Sequence, residues 1–241
     1  GARPEKIGIS CGGPLDSRNG IILGPPNLPG WDEVHISERI SRHFGVPALL
    51  QNDANACAVA EWKFGAGMGA DNMVFLTFGT GLGAGLILNG RLYTGTNDNA
   101  GEAGHIRLER FGPVGYGKAG SFEGFCSGGG IAKLGCSMAL EALQSGRQPA
   151  YFKKGMNESD VTAKAIAEAA DAGDETAINV YRVCGEHLGA GLSVLIDILN
   201  PEKIVIGSVF ARSEHLLRKY AEEVIANEAL PQAAKCCKIV P

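Results

Sequence analysis

The chain has 241 residues, 45% of them hydrophobic and 20% charged, with a formal net charge of −4, enough for one large domain or two modest lobes around a cleft. That mild acidity argues against nucleic acid or a membrane surface as partner, because both require a basic patch to meet phosphate. No run reaches the roughly 18–20 apolar residues of a membrane span and no basic-then-apolar leader opens the chain. The seven scattered cysteines are read as reduced, buried thiols of a cytoplasmic protein. Glycine is over-used, at 35 of 241 residues, about twice ordinary usage. Without a collagen-like period, the excess belongs in tight turns and where backbone approaches a ligand.

In chain order, residues 6–10 read as an apolar strand, followed by a turn at Gly12-Gly13-Pro14 and a loop through Trp31. Ser37 is the expected N-cap of a helix through Phe44, ended by Gly45 and Pro47. Residues 48–51 form a short buried strand, Asn52-Asp53-Ala54-Asn55 opens a helix to about Phe64, and Gly65–Gly69 closes it. Residues 72–78 read as a buried strand, broken by Gly79-Thr80-Gly81-Leu82-Gly83 and resumed at 84–88. Asn89-Gly90 then predicts a hairpin returning as residues 91–93. Beyond a loop and a glycine-rich stretch to Gly130, the clearest helix spans about 174–199. Its apolar stripe is Ile178, Tyr181, Val183, Leu188, Leu192, Leu195 and Ile196, and Asn200-Pro201 stops it. A strand at 203–206 and a helix from about Ser213 to Asn227 follow.

Four constellations carry candidate chemistry, each with a plainer alternative. Gly79, Thr80 and Gly81, in a glycine turn between strands, offer backbone N–H groups and a hydroxyl to an anion; an ordinary tight hairpin is the alternative. Asn52-Asp53 at a strand end places a carboxylate where it can take a proton from a hydroxyl, or Asp53 caps the next helix. Glu102 and His105, with Glu123 further on, suit a polyhydroxylated ligand, or are solvated loop residues. Gly207-Ser208 stands at the carboxyl end of a strand, where nucleotides rest in open α/β sheets, or is a plain turn. No serine-hydrolase elbow, HExxH helix or CxxC pair supports covalent or metalloprotease chemistry.

The order of these motifs is more telling than any one of them. Leu50-Gln51-Asn52-Asp53-Ala54-Asn55-Ala56, Thr77-Phe78-Gly79-Thr80-Gly81-Leu82-Gly83 and Gly101-Glu102-Ala103-Gly104-His105 closely resemble the repressor/ORF/kinase (ROK) family of sugar kinases and sugar-responsive repressors. Leu28-Pro29-Gly30-Trp31, Leu199-Asn200-Pro201-Glu202 and Ile204-Val205-Ile206-Gly207 also look like its landmarks. The resemblance implies an α/β, actin-like (ribonuclease H-like) two-lobed sugar kinase fold. It makes residues 1–67 the remainder of a small N-terminal lobe and 68–241 a large lobe carrying sugar and nucleotide elements. It further implies Asp53 as general base, Asn52, Glu102, His105 and Glu123 as sugar ligands, Gly79, Thr80 and Gly81 in a phosphate loop, and Gly207-Ser208 near adenosine. ATP with Mg2+ would be the phosphoryl donor, a hexose or N-acetylhexosamine the acceptor, and a homodimer the assembly.

The chain departs from the family pattern in three places. Where the family carries three zinc-binding cysteines after the Gly-His pair, Val114, Tyr116 and Ser121 stand instead, and His105 alone cannot hold a structural zinc, so no zinc is expected. The family's first phosphate loop, acidic-Gly-Gly-Thr on an opening strand, is not found before Ile7, and residues 237–241 look like a strand without its following helix. Both ends lead to the expectation of a fragment of a longer kinase lacking the first strands of its N-terminal lobe. The alternative reading is the non-enzymatic sugar-sensing domain of a ROK-type regulator.

Overall fold

The computed structural model describes residues 4–153 and 155–241. In chain order the elements are β1 (Ile7–Cys11), β2 (Leu15–Asp16), β3 (Ile21–Ile22), β4 (Val34–His35), α1 (Ile36–Phe44), β5 (Ala48–Asn52), α2 (Asp53–Phe64), β6 (Met73–Phe78), β7 (Leu82–Leu88) and β8 (Arg91–Tyr93). There follow β9 (Val114–Gly115), β10 (Lys118–Ala119), α3 (Phe122–Phe125), α4 (Gly128–Gln144), α5 (Ala163–Asp171), α6 (Glu175–Leu199), β11 (Lys203–Ile206), α7 (Val209–Glu228), α8 (Pro231–Cys236) and β12 (Lys238–Val240). Packing divides them into two compact units: residues up to Phe75 with Ala84–Gly101, and Leu76–Gly83 with Glu102–Pro241.

In the first unit β1 runs parallel to β5, from Ile7 opposite Ala48 to Cys11 opposite Asn52. Parallel pairing puts both carboxyl ends on one side, so Gly12-Gly13 and Asn52-Asp53 leave the sheet together. β2, β3 and β4 form an antiparallel sheet, whose Leu15 and Ile22 bury with Leu50 against Ile9, Cys11, Val34 and Ile36. The expected Ser37 cap is corrected: α1 opens on Ile36 with no side-chain cap, and the Ser37 Oγ is buried without a partner among the described residues. Gly45 ends α1 in the left-handed region (φ 68°), its N–H donating to the Ser41 carbonyl. β7 approaches α2 closely, since a Cβ on Gly85 would stand 2.6 Å from the Ala54 carbonyl oxygen. β7 turns into β8 through Asn89-Gly90, at φ 52° and 67°, with Leu88 opposite Arg91.

In the second unit β11 pairs parallel with β12, Ile204 opposite Ile239, and the Gly207 N–H reaches the Leu76 carbonyl at 3.0 Å. Ile204, Val205 and Ile206 are at most 1% exposed, as a strand covered on both faces requires. α6 is capped by Asp174, which accepts from the Ala177 N–H, and stops at Asn200 at φ 44°. Its buried stripe differs in part from the expected one: Val180 and Cys184 face inward, whereas Ile178 is 37% exposed and Val183 half-buried. Glycines explain the difference. A Cβ on Gly185 would lie 2.8 Å from the Leu217 carbonyl oxygen and one on Gly189 2.5 Å from that of Ala221, so α7 docks on the glycine face of α6. α7 itself begins at Val209 rather than Ser213, where its first turn joins the rest across a kink (φ −127°, ψ 24°).

Among the described residues no helix is long and apolar enough to cross a membrane. All seven cysteines are free, but only Cys126 and Cys184 are buried; Cys57 and Cys236 are exposed, against the expectation of uniformly buried thiols.

Candidate active site

The expected site residues fall into two groups, one in each unit. In the first unit, Asn52 and Asp53 stand where β5 ends and α2 begins. Asn52 is the cap: its Oδ1 accepts from the N–H groups of Ala54 (2.9 Å) and Asn55 (3.2 Å). That relieves Asp53 of the capping duty its position invites. Asp53 is exposed, and its Oδ1 accepts only from the adjacent Ala54 N–H at 2.9 Å, leaving Oδ2 without a hydrogen bond among the described residues. Behind it, Gln51 Oε1 accepts from the Asn52 N–H at 2.8 Å and from Asn55 Nδ2 at 3.3 Å, bracing the strand-to-helix turn. The Gly12-Gly13 backbone passes close, since a Cβ on Gly13 would lie 3.6 Å from Asn52 Nδ2. Burial, and then the Asp53 charge, push the Cys11 and Cys57 thiols upward. Both therefore stay neutral near pH 7.

In the second unit the glycine loop is held from several directions. The Gly79 N–H donates to the Gly81 carbonyl at 3.0 Å, and the Gly128 N–H to the Gly79 carbonyl at 2.7 Å. Glu123 Oε2 accepts the Leu82 N–H at 3.0 Å. This carboxylate explains a glycine: a Cβ on Gly81 would stand 2.7 Å from Glu123 Oε2. Thr80 is exposed at the loop tip. Ser208 adjoins, since a Cβ on Gly79 would lie 3.7 Å from its Oγ. It sits at φ 61° before α7 without capping it, and backbone in that region is sustained only by its surroundings. Gly104 also packs on the loop, where a Cβ would meet the Leu82 carbonyl at 2.1 Å. Glu102 and His105, both exposed, therefore flank Leu82 and Glu123. Thr80, Glu102, His105, Glu123, Gly207 and Ser208 are thus gathered within one unit.

The stretch bearing Val114, Tyr116 and Ser121 is a hairpin, with Lys118 opposite Gly115. Cation-to-carbonyl bonds order it: Lys118 Nζ to His105 O (2.6 Å), Arg107 Nη1 to Ala119 O (2.7 Å) and Lys133 Nζ to Val114 O (2.8 Å). Ser121 is fully buried and caps α3 through the Gly124 N–H. Valine, tyrosine and serine supply no thiolate, so the donor set does not fit a four-ligand zinc.

Sequence reasoning passed over Ser127-Gly128-Gly129-Gly130, which opens the 17-residue α4 beside the loop. Ser127 Oγ accepts the Gly130 N–H at 2.9 Å, and a Cβ on Gly129 would lie 3.6 Å from the Thr80 carbonyl oxygen. The signal was a serine and three glycines ahead of an apolar helix. These glycines and the 79–81 backbone leave a cradle without side chains, which fits the phosphates of a nucleotide. Among the described residues no group of three or more His, Cys, Asp or Glu is gathered for a metal.

Residues 2–241 match the ROK family profile. The chain is 35% identical over 237 residues to a glucokinase of Halalkalibacterium halodurans, covering 97% of this chain and 70% of that protein. Among solved structures, a ROK family transcriptional regulator, a homolog of the E. coli MLC protein, superposes with a TM-score of 0.84 at 31% identity, over 98% of this chain and 57% of the regulator. A ROK family glucokinase from Streptomyces griseus, in complex with glucose and AMPPNP, gives a TM-score of 0.78 at 29% identity, over 94% of this chain and 72% of the kinase.

Proposed function

Because this chain belongs to the ROK family and shares the actin-like α/β fold of ROK sugar kinases, we propose that it carries the catalytic residues of an ATP-dependent hexose or N-acetylhexosamine kinase. The lobe division at 67/68 is part of this reading. The observation that supports it most directly is the Glu123 carboxylate on the Leu82 N–H, which fixes a sugar-ligand candidate and the glycine loop in one piece. In this reading Asp53 takes the proton of the attacking hydroxyl as that oxygen bonds to phosphorus and the bond to the departing diphosphate breaks. Asn52, Glu102, His105 and Glu123 orient the sugar by its hydroxyls. Gly79, Thr80 and Gly81 hold phosphate oxygens, and Gly207-Ser208 lies against the adenosine. ATP supplies the phosphoryl group and Mg2+ neutralises its charge; the protein contributes positioning and electrostatics.

A second reading has its own support in the likeness to the ROK transcriptional regulator: the same residues serving a sugar sensor without turnover. A carboxylate with one oxygen uncommitted favours the kinase, because a sensor has no need of a base. The test is ADP release by the natural full-length protein with Mg2+ and a panel of hexoses and N-acetylhexosamines. Turnover on a sugar that Asp53→Asn lowers by about 10²–10⁴-fold, with sugar affinity retained, is expected. Sugar binding without turnover would replace the kinase by the sensor, and undiminished turnover by Asp53→Asn would remove Asp53 from the chemistry.

A further inference from the structure

Among the described residues two hairpins have two-residue loops, and they obey turn chemistry differently. Asn89-Gly90 joins β7 to β8 with φ 52° and 67°, and Tyr116-Gly117 joins β9 to β10 with φ 42° and 75°. Positive φ at both central residues is the sign pattern of the type I′ turn, whose first position favours Asn, Asp or Gly. The first hairpin complies. The second places a tyrosine in the left-handed region, where a bulky side chain is strained and Asn is not. Nor does burial explain the ring, since Tyr116 is 70% exposed. The ring lies beside His105, centroid to centroid 6.4 Å and edge-on at 74°. The hairpin is tied to that same residue by the Lys118 Nζ bond to the His105 carbonyl at 2.6 Å.

An exposed aromatic ring, held at a backbone cost beside an exposed imidazole, is better suited to a ligand than to the fold. We propose that Tyr116 is a sugar-contacting, specificity-determining residue: a platform beside His105 that takes the C–H face of a pyranose ring. The inference rests on the sugar-site reading of His105. Sugars present hydroxyls at their rims and C–H groups on their faces. A ring that is apolar across its face and polar only at its tip complements that pattern, while Glu123 and His105 serve the rim. Tyr116 would act on affinity and on the choice among sugars, not on the transfer step.

The test uses the natural full-length protein, with calorimetric titration of the same panel of hexoses and N-acetylhexosamines in the absence of nucleotide, so that turnover does not enter, and compares variants on the sugar that the wild type binds most tightly. Tyr116→Phe keeps the ring and leaves Kd within about twofold. Tyr116→Asn removes it and weakens binding by about tenfold. Because asparagine suits the turn, this variant's Tm stays equal to wild type or rises. A merely structural tyrosine predicts the opposite, a lower Tm with any loss of affinity. Wild-type Kd in Tyr116→Asn, equal losses in Phe and Asn variants, or a fall in Tm that accompanies the loss would each overturn the proposal. A wild-type protein that binds no hexose or N-acetylhexosamine of the panel would instead overturn the sugar-site reading beneath it.

Discussion

Replacing Gly81 by Ala tests whether the Glu123 carboxylate organises the glycine loop. The new Cβ would stand 2.7 Å from Glu123 Oε2, too close to remain, so the carboxylate must swing away. It then abandons the Leu82 N–H, which it accepts at 3.0 Å, on a residue only 4% exposed. A buried amide deprived of its acceptor costs about 1–3 kcal/mol. At about 3 °C per kcal/mol for a chain of this size, Tm falls by roughly 3–9 °C. Glu123→Ala orphans the same amide without any clash and shows a similar loss. The double variant then shows no more than either single one, because alanine at 81 no longer has an oxygen to displace. Scanning calorimetry of the four proteins closes the double-mutant cycle, with a coupling about as large as a single effect. Additive losses, within about 0.5 kcal/mol, would refute the reasoning and leave Gly81 a glycine for some other cause.

Two further outcomes follow from packing. Gly189→Ala forces a Cβ to within 2.5 Å of the Ala221 carbonyl oxygen. Here rigid backbone must retreat, so urea unfolding is expected to report a loss of about 1–3 kcal/mol; wild-type stability would show that α7 yields freely. Burial pushes the Tyr181 phenol up to about 12, above its unfolded value near 10. Its contribution is therefore fully present below pH 10 and lost as pH rises from there toward 12, on the order of 2–3 kcal/mol. Tyr181→Phe should flatten that part of the stability–pH curve, leaving a residue from Tyr151, which burial also raises; an unchanged slope would contradict the assignment.

What was legible in the sequence was carried by the residues themselves. Gly45 and Asn200 end helices in left-handed backbone, and Asn89-Gly90 turns a hairpin, because each preference lies in dihedrals that a neighbour or two suffice to fix. The Asn52-Asp53 pair was visible at its strand end, yet which of the two caps α2 was not. A one-residue shift decides that, and the Asn52 side chain took the role. The Ser37 cap failed for the same reason.

Other features needed partners far along the chain. The Glu123–Leu82 bond spans 41 residues, and the inward stripe of α6 follows from glycines that admit α7, over 30 residues further on. Tyr116-Gly117 carried no turn signal, since tyrosine is a poor first residue for that geometry. Local dihedral preference and hydrophobic periodicity are written residue by residue, and from them the sequence alone determined the longer strands β1, β5, β6, β11 and β12, the β7–β8 hairpin, the ends of α1, α2 and α6 and the order of the motifs, but not the two-residue strands β2, β3, β4, β9 and β10, which lie in stretches that read as turn or loop. Close approach of backbones, the choice between competing caps and the tolerance of strain are set by packing against distant segments, and these only the tertiary structure decided.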